Sequence, residues 1–376
     1  MKVLLAVKSL LPSYGGPAFS VSRLALALAN AGVRVGLWAS DQSAAITPLL
    51  PANVPLQRLG GTAVDVVREF GRPDILHDNG IWLPHNHRFA ELTVALDLVR
   101  VVSTRGMLEP WALNHKRLKK KIAWWLYQRR DLCRAAYHHA TAEAEAKTLR
   151  DLRLGVPIGL IPNGIDFARA VARRGGTSQT RTALFLGRVH PIKGLSLLVE
   201  AWARLRPDRW QLQIAGPDEI GYAAELEQAI SAASLADVVR LIGPLDGEAK
   251  ERAFVDAELF VLPSFSESFG MAVGEALARG LPVLTTTGAP WSMLDERGCG
   301  WSVAPTVEGL TEGLRQATSL DSSKLTTMGE RGREFVRLDF AWPSIAGQFI
   351  KTYETLLGRR GRHVTGSGFQ ADSNGG

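Results

Sequence analysis

The regular alternation of short apolar patterns with longer helical patterns is the feature that most limits how this chain can fold. Both halves of the sequence show it over nearly their whole length. Such alternation predicts an α/β protein whose parallel sheets are covered by helices on both faces. The predicted strands span residues 3–7, 33–38, 75–77, 99–103, 139–141 and 158–161 in the first half, and 183–186, 211–215, 239–241, 259–262, 283–285 and 301–303 in the second. The predicted helices span residues 18–31, 63–70, 86–98, 116–137, 195–204, 271–278 and 344–357.

A length of 376 residues, with 46% hydrophobic side chains, allows two domains that each bury a core. Residues 167–181 are basic, contain glycine and show no periodicity, so they predict a linker. Residues 359–376 are rich in Gly, Ser and Arg and predict a disordered tail. The predicted division is a first domain at 1–166, a second at 182–340 and a last helix at 341–358.

Several classes of protein are disfavoured by what the sequence lacks. No apolar run approaches the length of a membrane span, and the start is too short and too charged for a signal peptide. Cys133 and Cys299 are far apart, so neither a disulfide framework nor a zinc site is expected. The net charge of +7 is not accompanied by a nucleic-acid-binding motif, so no nucleic-acid partner is expected. The predicted compartment is the cytoplasm.

Two glutamates flank a turn between a buried strand and a short helix. Glu267 lies on the turn, and Glu275 lies about two helical turns further on. The amides of Phe269 and Gly270 open the helix and form a natural seat for an anion. Such a turn, at the carboxyl end of a strand, is where α/β proteins bind ligands. The alternative is a solvated turn acid followed by an ordinary surface acid.

A second turn, after the strand at 183–186, carries positive charge. Gly187 allows the backbone to turn tightly and approach a ligand. Arg188 offers a planar fork of donors for phosphate oxygens, and Lys193 adds a point charge at the start of the next helix. This pattern favours a phosphate site. A basic surface loop is the alternative that the residues alone leave open.

Together these segments resemble the nucleotide-sugar domain of retaining family 4 glycosyltransferases, which have the GT-B fold. The resemblance extends over residues 1–358. It implies two Rossmann-like parallel-sheet domains facing a cleft, with a last helix that crosses back to the first domain. The matching residues are Gly187, Arg188, Lys193, Leu262, Pro263, Ser264, Glu267, Phe269, Gly270, Glu275, Ala276, the run Gly280-Leu281-Pro282-Val283 and, near mid-chain, Pro162-Asn163-Gly164-Ile165-Asp166.

The resemblance also implies a reaction. A sugar moves from a UDP- or GDP-sugar to an acceptor hydroxyl with retention of configuration, and neither a cofactor nor a metal is needed. Arg188 and Lys193 would neutralise charge on the leaving diphosphate. Glu275 would bind the ribose and Glu267 would orient the sugar. The implied donor site is Gly15, Gly16, Gly187, Arg188, Lys193, Glu267, Ser268, Phe269, Gly270 and Glu275, of which Arg188, Lys193 and Glu267 are the catalytic candidates.

In the first half, Gly15 and Gly16 follow the first strand. Their spacing is not that of a dinucleotide fingerprint, which disfavours a dehydrogenase. The resemblance implies that they approach the donor diphosphate, and a simple turn is the alternative. His85 and His87 have no third ligand nearby in sequence, so no metal is assigned.

Four further residues follow strands of the first half and are candidates for the acceptor or sugar site: His77, Asn79, Arg105 and Glu109. Many members of the family carry histidine at the position of Arg105, beside the transferred sugar. Arg105 is expected either to bind an anion of the donor or acceptor, or to pair with Glu109. The surrounding run, 105–113, resembles a branch of the family associated with bacterial surface polysaccharides.

The helix predicted at 116–137 combines basic and aromatic residues. Leu118, Ile122, Trp125 and Leu126 recur at helical spacing, with basic residues around them. This pattern favours contact with an anionic membrane surface. A helix packed on its own domain, with a solvated basic face, is the alternative. The membrane-contact candidates are Lys116, Arg117, Lys119, Lys120, Lys121 and Trp124.

The overall hypothesis is a two-domain glycosyltransferase, peripheral on the inner face of the plasma membrane. It would extend a polyprenyl-diphosphate-linked saccharide in the synthesis of O-antigen, capsule or exopolysaccharide. Two rival hypotheses are a GT-B nucleotide-sugar epimerase, which needs no acceptor, and an inactive sugar-nucleotide-binding membrane scaffold.

Overall fold

The computed structural model describes residues 1–109, 112–113, 117–167 and 180–366, with side chains up to residue 360. The chain divides into two compact units. The first unit comprises Met1–Gly164 and Trp342–Gly376, and the second comprises Ile165–Ala341. The chain therefore returns to the first unit at its C-terminus.

The first unit is built on a seven-stranded parallel sheet with the order β3-β2-β1-β4-β5-β6-β7. Its central strands are buried along almost their whole length because helices cover both faces, which is why they are rich in Val, Leu and Ile. The strands are β1 (Lys2–Val7), β2 (Arg34–Ala39), β3 (Gln57–Leu59), β4 (Ile75–Asn79), β5 (Val99–Ser103), β6 (Tyr137–Ala140) and β7 (Ile158–Leu160).

The helices of the first unit connect successive parallel strands. The helices that precede the second unit are α1 (Gly16–Asn30), α2 (Ala63–Phe70), α3 (Pro84–Ala95), α4 (Arg117–Ala123), α5 (Arg129–Cys133) and α6 (Glu143–Asp151). A π-helical turn, Trp124–Gln128, joins α4 to α5. Asp65 completes a capping box with Thr62 at the start of α2.

The second unit has a six-stranded parallel sheet with the order β10-β9-β8-β11-β12-β13. Its core contains large apolar side chains such as Phe185, Trp202, Phe260 and Trp291. The strands are β8 (Arg181–Leu186), β9 (Trp210–Ala215), β10 (Val239–Gly243), β11 (Leu259–Leu262), β12 (Val283–Thr286) and β13 (Gly300–Val303). The helices are α7 (Leu195–Leu205), α8 (Tyr222–Ala232), α9 (Gly247–Asp256), α10 (Met271–Ala278), α11 (Val307–Ser319) and α12 (Ser322–Asp339).

The C-terminal helix α13 (Trp342–Gly366) belongs to the first unit. Ile345, Phe349, Tyr353 and Leu356 recur every three or four residues and join the core that α1 also covers. The helix runs on to Gly366, so the first residues of the segment predicted as a disordered tail are helical. Residues 367–376 of that segment lie outside the described residues.

The prediction of two Rossmann-like parallel sheets is confirmed. The predicted strands and helices are present, most with ends that differ by a few residues, whereas β3, α6, α8, α9, α11 and α12 were not predicted. Strand β3 has only three residues, two of them polar, and α6 carries few apolar side chains, so neither gives a clear periodic signal. Of the predicted linker, residues 168–179 lie outside the described residues, and Arg181 already belongs to β8.

Both sheets contain a topological switch point, where successive strands are added on opposite sides. It lies between β1 and β4 in the first unit and between β8 and β11 in the second. The loops that leave the carboxyl ends of these strands diverge and leave a crevice, the usual ligand position in such sheets. We call this side of each sheet its carboxyl edge.

Candidate functional site

At the carboxyl edge of the second sheet, the loops after β8 and β11 are held against each other. The Phe265 N–H donates to the Ile192 carbonyl oxygen at 2.9 Å. Gly194, with φ of 65°, packs so closely that a Cβ there would lie 2.1 Å from the Pro263 carbonyl oxygen. A larger residue at this position would push the two loops apart, so glycine is required by close approach as well as by φ.

This packing brings Lys193 and Glu267 into direct contact. The Lys193 Nζ donates to Glu267 Oε1 at 2.5 Å, and the Ser264 hydroxyl donates to the same oxygen at 2.6 Å. Within the described part of the chain, Glu267 Oε2 has no hydrogen-bond partner. The side chains remain 14% and 12% exposed, so the pair is partly desolvated but can be reached by a ligand. The sequence indicated Lys193 and Glu267 as candidate site residues but did not predict that they form an ion pair.

Glu275 has a partner that sequence reasoning missed. Lys250, on α9, contacts both carboxylate oxygens of Glu275, at 2.9 and 2.8 Å. Its only sequence signal is a lysine on an amphipathic helix, which is too common to single out. The tertiary fold alone brings α9 beside α10, so Lys250 adds a third cation to this edge.

Arg188 stands apart from the Lys193–Glu267 pair. Its guanidinium is half exposed and lies 3.3 Å from the Glu219 carboxylate. The loop itself is tightly built, because a Cβ at Gly216 would lie 1.7 Å from the Gly187 carbonyl oxygen. Burial lowers the pKa of His190, and the positive charges of Arg188 and Lys193 lower it further. The β8 loop therefore carries two cations next to a neutral histidine.

The turn before α10 is anchored by aromatic packing. The Phe269 ring lies 5.3 Å from the Trp291 ring, and the indole N–H of Trp291 donates to the Phe269 carbonyl oxygen at 2.6 Å. Gly270, with φ of 76°, is the N-cap residue of α10. Ser268 lies half-buried on the same turn. The predicted anion seat therefore occupies a fixed backbone at the start of an eight-residue helix.

At the carboxyl edge of the first sheet, the turn after β1 is open. Gly15 has φ of 77°, and neither Gly15 nor Gly16 has a neighbouring atom within 4 Å of an added Cβ. Gly16 is the first residue of α1. The two glycines thus present bare backbone at the start of a helix, an arrangement that an anionic ligand can approach.

The prediction that His77 lines a ligand site is wrong. Strand β4 continues to Asn79, and His77 is completely buried. Its Nδ1 lies 2.6 Å from the Tyr353 hydroxyl and its Nε2 lies 2.6 Å from the Ser103 hydroxyl. The Ser103 hydroxyl also lies 2.6 Å from Nδ1 of His139. His77 therefore links α13 to the sheet.

The protons of this buried chain can be assigned. His139 Nε2 lies 2.7 Å from the Ile161 carbonyl oxygen, which can only accept, so Nε2 carries a proton. Nδ1 of a neutral His139 then accepts from Ser103, Ser103 accepts from His77, and His77 accepts from Tyr353. Burial lowers the pKa of His139 to about 4 and that of His77 well below its usual value. Both imidazoles are neutral, and every donor in the chain is used.

Asn79 and Arg105 do come together. The Arg105 Nη2 donates to Asn79 Oδ1 at 2.7 Å, and Nη1 donates to Asn163 Oδ1 at 2.9 Å. The alternative that we considered, an Arg105–Glu109 pair, is not formed. The Glu109 carboxylate instead accepts from the Thr148 hydroxyl at 3.3 Å, and burial raises the pKa of Glu109.

His85 and His87 lie in different surroundings. The His85 ring lies 5.4 Å from the Trp38 ring, and Nδ1 of His87 lies 2.7 Å from Oδ2 of Asp131. Among the described residues there is no group of three or more His, Cys, Asp or Glu that could hold a metal ion.

The apolar stripe of the basic helix faces solvent. Leu118, Ile122, Trp125 and Leu126 are 72%, 53%, 76% and 70% exposed. Trp124 turns the other way, with its ring 6.2 Å from that of Trp82. Arg117, Lys119 and Lys121 are exposed, the Lys120 ammonium lies over the Trp82 ring, and Lys116 lies outside the described residues. None of the helices in the described part of the chain combines the length and apolarity needed to cross a membrane.

Two family models match adjacent parts of this sequence. The model described as Glycosyltransferase Family 4 matches residues 14–169, and that described as Glycosyl transferases group 1 matches residues 170–335. Each model covers one of the two predicted Rossmann-like domains. The chain belongs to glycosyltransferase family 4. Both family models describe glycosyltransferases, in agreement with the predicted enzyme class.

Curated relatives of the family 4 chain match it over part of their length. It is 31% identical over 228 residues to the GDP-mannose:cellobiosyl-diphosphopolyprenol alpha-mannosyltransferase of Komagataeibacter xylinus, covering 58% of this chain and 56% of that protein. It is 29% identical over 204 residues to the MMP alpha-(1->4)-mannosyltransferase of Mycolicibacterium hassiacum, covering 53% and 49%. These matches span about half the length of each relative.

Solved structures agree on the fold over nearly the whole chain. Sucrose-phosphate synthase from Thermosynechococcus elongatus superposes with a TM-score of 0.73 at 21% identity, covering 96% of this chain and 100% of that one. Anabaena HepE in complex with UDP and glucose superposes with a TM-score of 0.74 at 19% identity, covering 94% and 100%. These similarities confirm the GT-B fold.

Proposed function

We propose that this chain is a retaining glycosyltransferase that moves a sugar from a nucleotide-sugar donor to a hydroxyl of a lipid-linked saccharide. The observation that carries the proposal is the contact of Lys193, Glu267 and Ser264 at the switch point of the second sheet. It leaves a carboxylate oxygen available for a sugar hydroxyl, next to an ammonium group that can face a phosphate. A purely structural ion pair would not need this position.

Each charged residue at this edge has a distinct proposed role. Lys193 and the half-exposed guanidinium of Arg188 stabilise the charge that develops on the departing diphosphate. Glu267 Oε2 accepts a hydrogen bond from the donor sugar, and Lys193 holds that carboxylate in place through Oε1. Glu275 accepts from the ribose while Lys250 holds its carboxylate in place. Ser268 and the turn at Phe269 and Gly270 complete the donor seat.

On the first unit, Gly15 and Gly16 are proposed to approach the donor diphosphate. Asn79 and Arg105 remain the candidates for the acceptor or sugar site. Glu109 is a weaker candidate, because its carboxylate is directed to Thr148. His77 is withdrawn, because it is completely buried.

The choice of donor and acceptor is suggested by the relatives. Two of them are named as GDP-mannose:cellobiosyl-diphosphopolyprenol alpha-mannosyltransferases, and a similar structure contains UDP and glucose. Another similar structure, WaaG, is described as involved in lipopolysaccharide biosynthesis. We therefore propose a GDP- or UDP-hexose as donor and a polyprenyl-diphosphate-linked saccharide as acceptor, in bacterial surface-polysaccharide synthesis.

We further propose that α4 and the π-helical turn rest on the inner face of the plasma membrane. Four large apolar side chains are exposed there beside Arg117, Lys119 and Lys121, and no acid lies between Arg117 and Arg130. Apolar residues flanked by cations suit the headgroup region of an anionic leaflet. This surface would bring the enzyme to a lipid-linked acceptor.

The first experiment tests the donor site. A panel of UDP- and GDP-sugars is screened by thermal shift, and transfer is then assayed with the donor that stabilises the protein. Lys193→Ala is expected to reduce kcat/KM by the equivalent of about 2 kcal/mol or more, because it removes a charge that acts on the leaving group. Lys324→Ala, which changes an exposed lysine of the same unit, is the matched control. Unchanged kcat/KM in Lys193→Ala would exclude this donor site.

The second experiment separates the two glutamates. Calorimetric titration compares the free nucleoside diphosphate with the sugar nucleotide. Glu275→Ala is expected to weaken both ligands, because the ribose is common to them, whereas Glu267→Ala should weaken only the sugar nucleotide. Equal losses for both ligands in both variants would contradict the division of roles.

The third experiment tests the membrane surface. Changing Arg117, Lys119 and Lys121 to Gln should reduce sedimentation with anionic vesicles and transfer to a lipid-linked acceptor, while transfer to a water-soluble analogue is retained. Wild-type binding should weaken as salt rises from low to physiological concentration. A triple change of Arg315, Arg337 and Lys324, all exposed on other helices, controls for net charge. Equal sedimentation of both triple variants would rule out a specific surface.

The same assays distinguish the two rival functions. Conversion of a nucleotide sugar to its epimer without any acceptor would identify an epimerase. Donor binding with neither conversion nor transfer, across the acceptors tested, would identify an inactive scaffold. The proposed transferase requires that product forms only when an acceptor hydroxyl is present.

A further inference from the structure

The loop that follows β5 holds Arg105 in an unusual backbone conformation. Its φ of 53° lies in the left-handed region, which residues other than glycine seldom adopt. The buried Glu145 carboxylate fixes both neighbours, because Oε1 accepts from the Thr104 hydroxyl at 2.6 Å and from the Gly106 N–H at 2.8 Å. Its other oxygen accepts from Thr141. Glu145 thus sets the direction of Arg105 without contacting its guanidinium.

The guanidinium is held by two neutral side-chain oxygens. Nε and Nη2 both donate to Asn79 Oδ1, at 3.2 and 2.7 Å, and Nη1 donates to Asn163 Oδ1 at 2.9 Å. The orientation of Asn79 is fixed as well, since its amide nitrogen donates to the carbonyl oxygens of Ala6 and His77. Three of the five N–H groups of Arg105 are therefore used for positioning.

The remaining two N–H groups of Arg105, one on each terminal nitrogen, have no partner within the described part of the chain. Among the described residues, no carboxylate lies within ion-pair distance of the Arg105 guanidinium. Burial lowers the pKa of Arg105 to about 10, and Glu145 acts against that shift through space. The side chain is therefore charged at neutral pH, half-buried and without a counter-ion in contact, a costly arrangement unless something else compensates it.

The position of Arg105 is that of a ligand-binding group. It follows the carboxyl end of β5, which pairs with β4, and β4 borders the switch point of the first sheet. Tyr14, next to the open glycine at position 15, is close enough for the charge of Arg105 to lower the pKa of its hydroxyl against the effect of burial. The residues around Arg105 thus belong to the edge where a parallel sheet binds its ligands.

We infer that Arg105 binds an anionic group, a carboxylate or a phosphate, of the ligand taken up at the carboxyl edge of the first sheet. Two N–H donors on a planar, immobilised guanidinium match the two oxygens that either anion offers. The inference rests on the proposed function in that the ligand is then a substrate of sugar transfer. A carboxylate would come from an acidic sugar on the donor, and a phosphate from the diphosphate of a lipid-linked acceptor.

A binding experiment tests the anion site without any catalytic readout. The experiment uses an Arg188→Ala/Lys193→Ala background, which removes the other cations proposed to face phosphate. The melting temperature is measured at increasing concentrations of sodium phosphate or glucuronate, at constant ionic strength. Glucose serves as the neutral control for glucuronate. At least one anion should stabilise the protein. Arg105→Gln should weaken that anion about 10- to 100-fold, as expected for lost charge-assisted hydrogen bonds, and Arg105→Lys should lie between. Arg88→Gln, an exposed arginine of the same unit, is the control.

A transfer experiment then identifies the source of the anion. Transfer by wild type and by Arg105→Gln is compared for two donors that differ only in carrying glucuronate or glucose. It is also compared for two acceptors that differ only in a diphosphate or a neutral linker. The preference for the charged member of one pair should disappear in the variant. If no transfer occurs but the anion shift depends on Arg105, the reaction is wrong and the anion site stands. Anion binding that is absent, or equal in wild type and Arg105→Gln, overturns the inference.

Discussion

The two units, whose sheets share the same order over six strands, bury very different kinds of side chain. The first unit buries acidic, basic and histidine side chains, including the Asp78–Arg100 pair, Glu145 and the chain from Tyr353 to His139. Among the described residues of the second unit, the buried polar side chains are Thr182, Ser264, Thr285 and Thr286 only. The second unit keeps its charges at the rim, where Lys193, Glu267, Lys250 and Glu275 remain partly exposed.

The difference indicates which role the polar side chains have in each unit. In the first unit, buried polar groups hold the core and the C-terminal helix in one arrangement. At the carboxyl edge, Arg105 has two N–H groups without a partner among the described residues. In the second unit, an apolar core holds the fold, and partly exposed ion pairs can exchange partners with a ligand. Charges at the rim cost less to desolvate further, so they suit binding and release. The four predictions below test this contrast, starting with the largest expected effect.

Removing α13 should damage the two units unequally. A chain that ends at Ala341 loses Ile345, Phe349 and Tyr353 from the first core, together with the partner of His77. We expect the first unit to lose cooperative folding while the second, whose core lies within Ile165–Ala341, keeps its protection in hydrogen exchange. A chain ending at Gly358 keeps these contacts and should melt like wild type. Wild-type melting of the chain ending at Ala341 would contradict the proposed difference between the two units.

Breaking the buried ion pair comes next. Arg100 donates to Asp78 Oδ2 at 2.7 Å and to the Asp131 carbonyl oxygen at 2.9 Å, with both charged side chains fully buried. Arg100→Ala should lower the free energy of unfolding by about 3–5 kcal/mol, because the buried Asp78 carboxyl group loses its counter-ion and keeps, among the described residues, only the hydrogen bond from Asn86. Urea unfolding measures the loss. The double change Asp78→Leu/Arg100→Met should recover much of it, and a loss below about 1 kcal/mol in the single variant would contradict burial of the pair.

Acid should act mainly through the first unit. Burial lowers the pKa of His139 to about 4. Below pH 6.5, His139 therefore binds a proton in the unfolded chain but not in the folded protein. Stability is therefore lost as pH falls from about 6.5 to about 4, by about 1.4 kcal/mol per pH unit for this residue. His139→Gln should show a shallower slope by that amount in urea titrations at several pH values. Parallel slopes would mean that His139 is already protonated in the fold.

Exposed ion pairs should matter little in either unit. Lys147 pairs with Asp151 in the first unit and Arg252 pairs with Glu248 in the second, each over one helical turn and each largely exposed. Lys147→Ala and Arg252→Ala should each change the free energy of unfolding by about 0.5 kcal/mol or less. Equal, small effects would show that burial, and not membership of a unit, separates the large effects from the small ones. A loss comparable to that of Arg100→Ala would remove this distinction.

The fold could be predicted from sequence because its signals are local. The strands at 99–103 and 259–262 have the predicted ends, since short, mainly apolar runs bounded by turns are typical of buried parallel strands. The glycines that close the turns, such as Gly194 and Gly270, mark positive φ directly in the sequence. Strand β3 was missed because a short, half-polar edge strand carries no such run.

The candidate site was only partly predictable. Lys193 and Glu267 were found from short motifs, but Lys250 and Glu145 were not, because each acts on a residue 25 to 39 positions away. His77 was misjudged because a histidine after two apolar residues, Ile75 and Leu76, looks the same whether the strand stops or continues. Its burial depends on Tyr353, which lies 276 residues further along the chain.

The parallel sheets, the loops with candidate phosphate-binding residues and the family could be predicted from the amino-acid sequence, because periodicity and turn residues act over a few neighbouring positions. Which charges meet depends on the tertiary structure. It pairs Lys193 with Glu267 through loop packing, turns the apolar stripe of α4 and its π-helical turn to solvent, and leaves Arg105 without a carboxylate in contact. Such outcomes depend on burial and on distances between residues far apart in the chain, and a linear pattern contains neither.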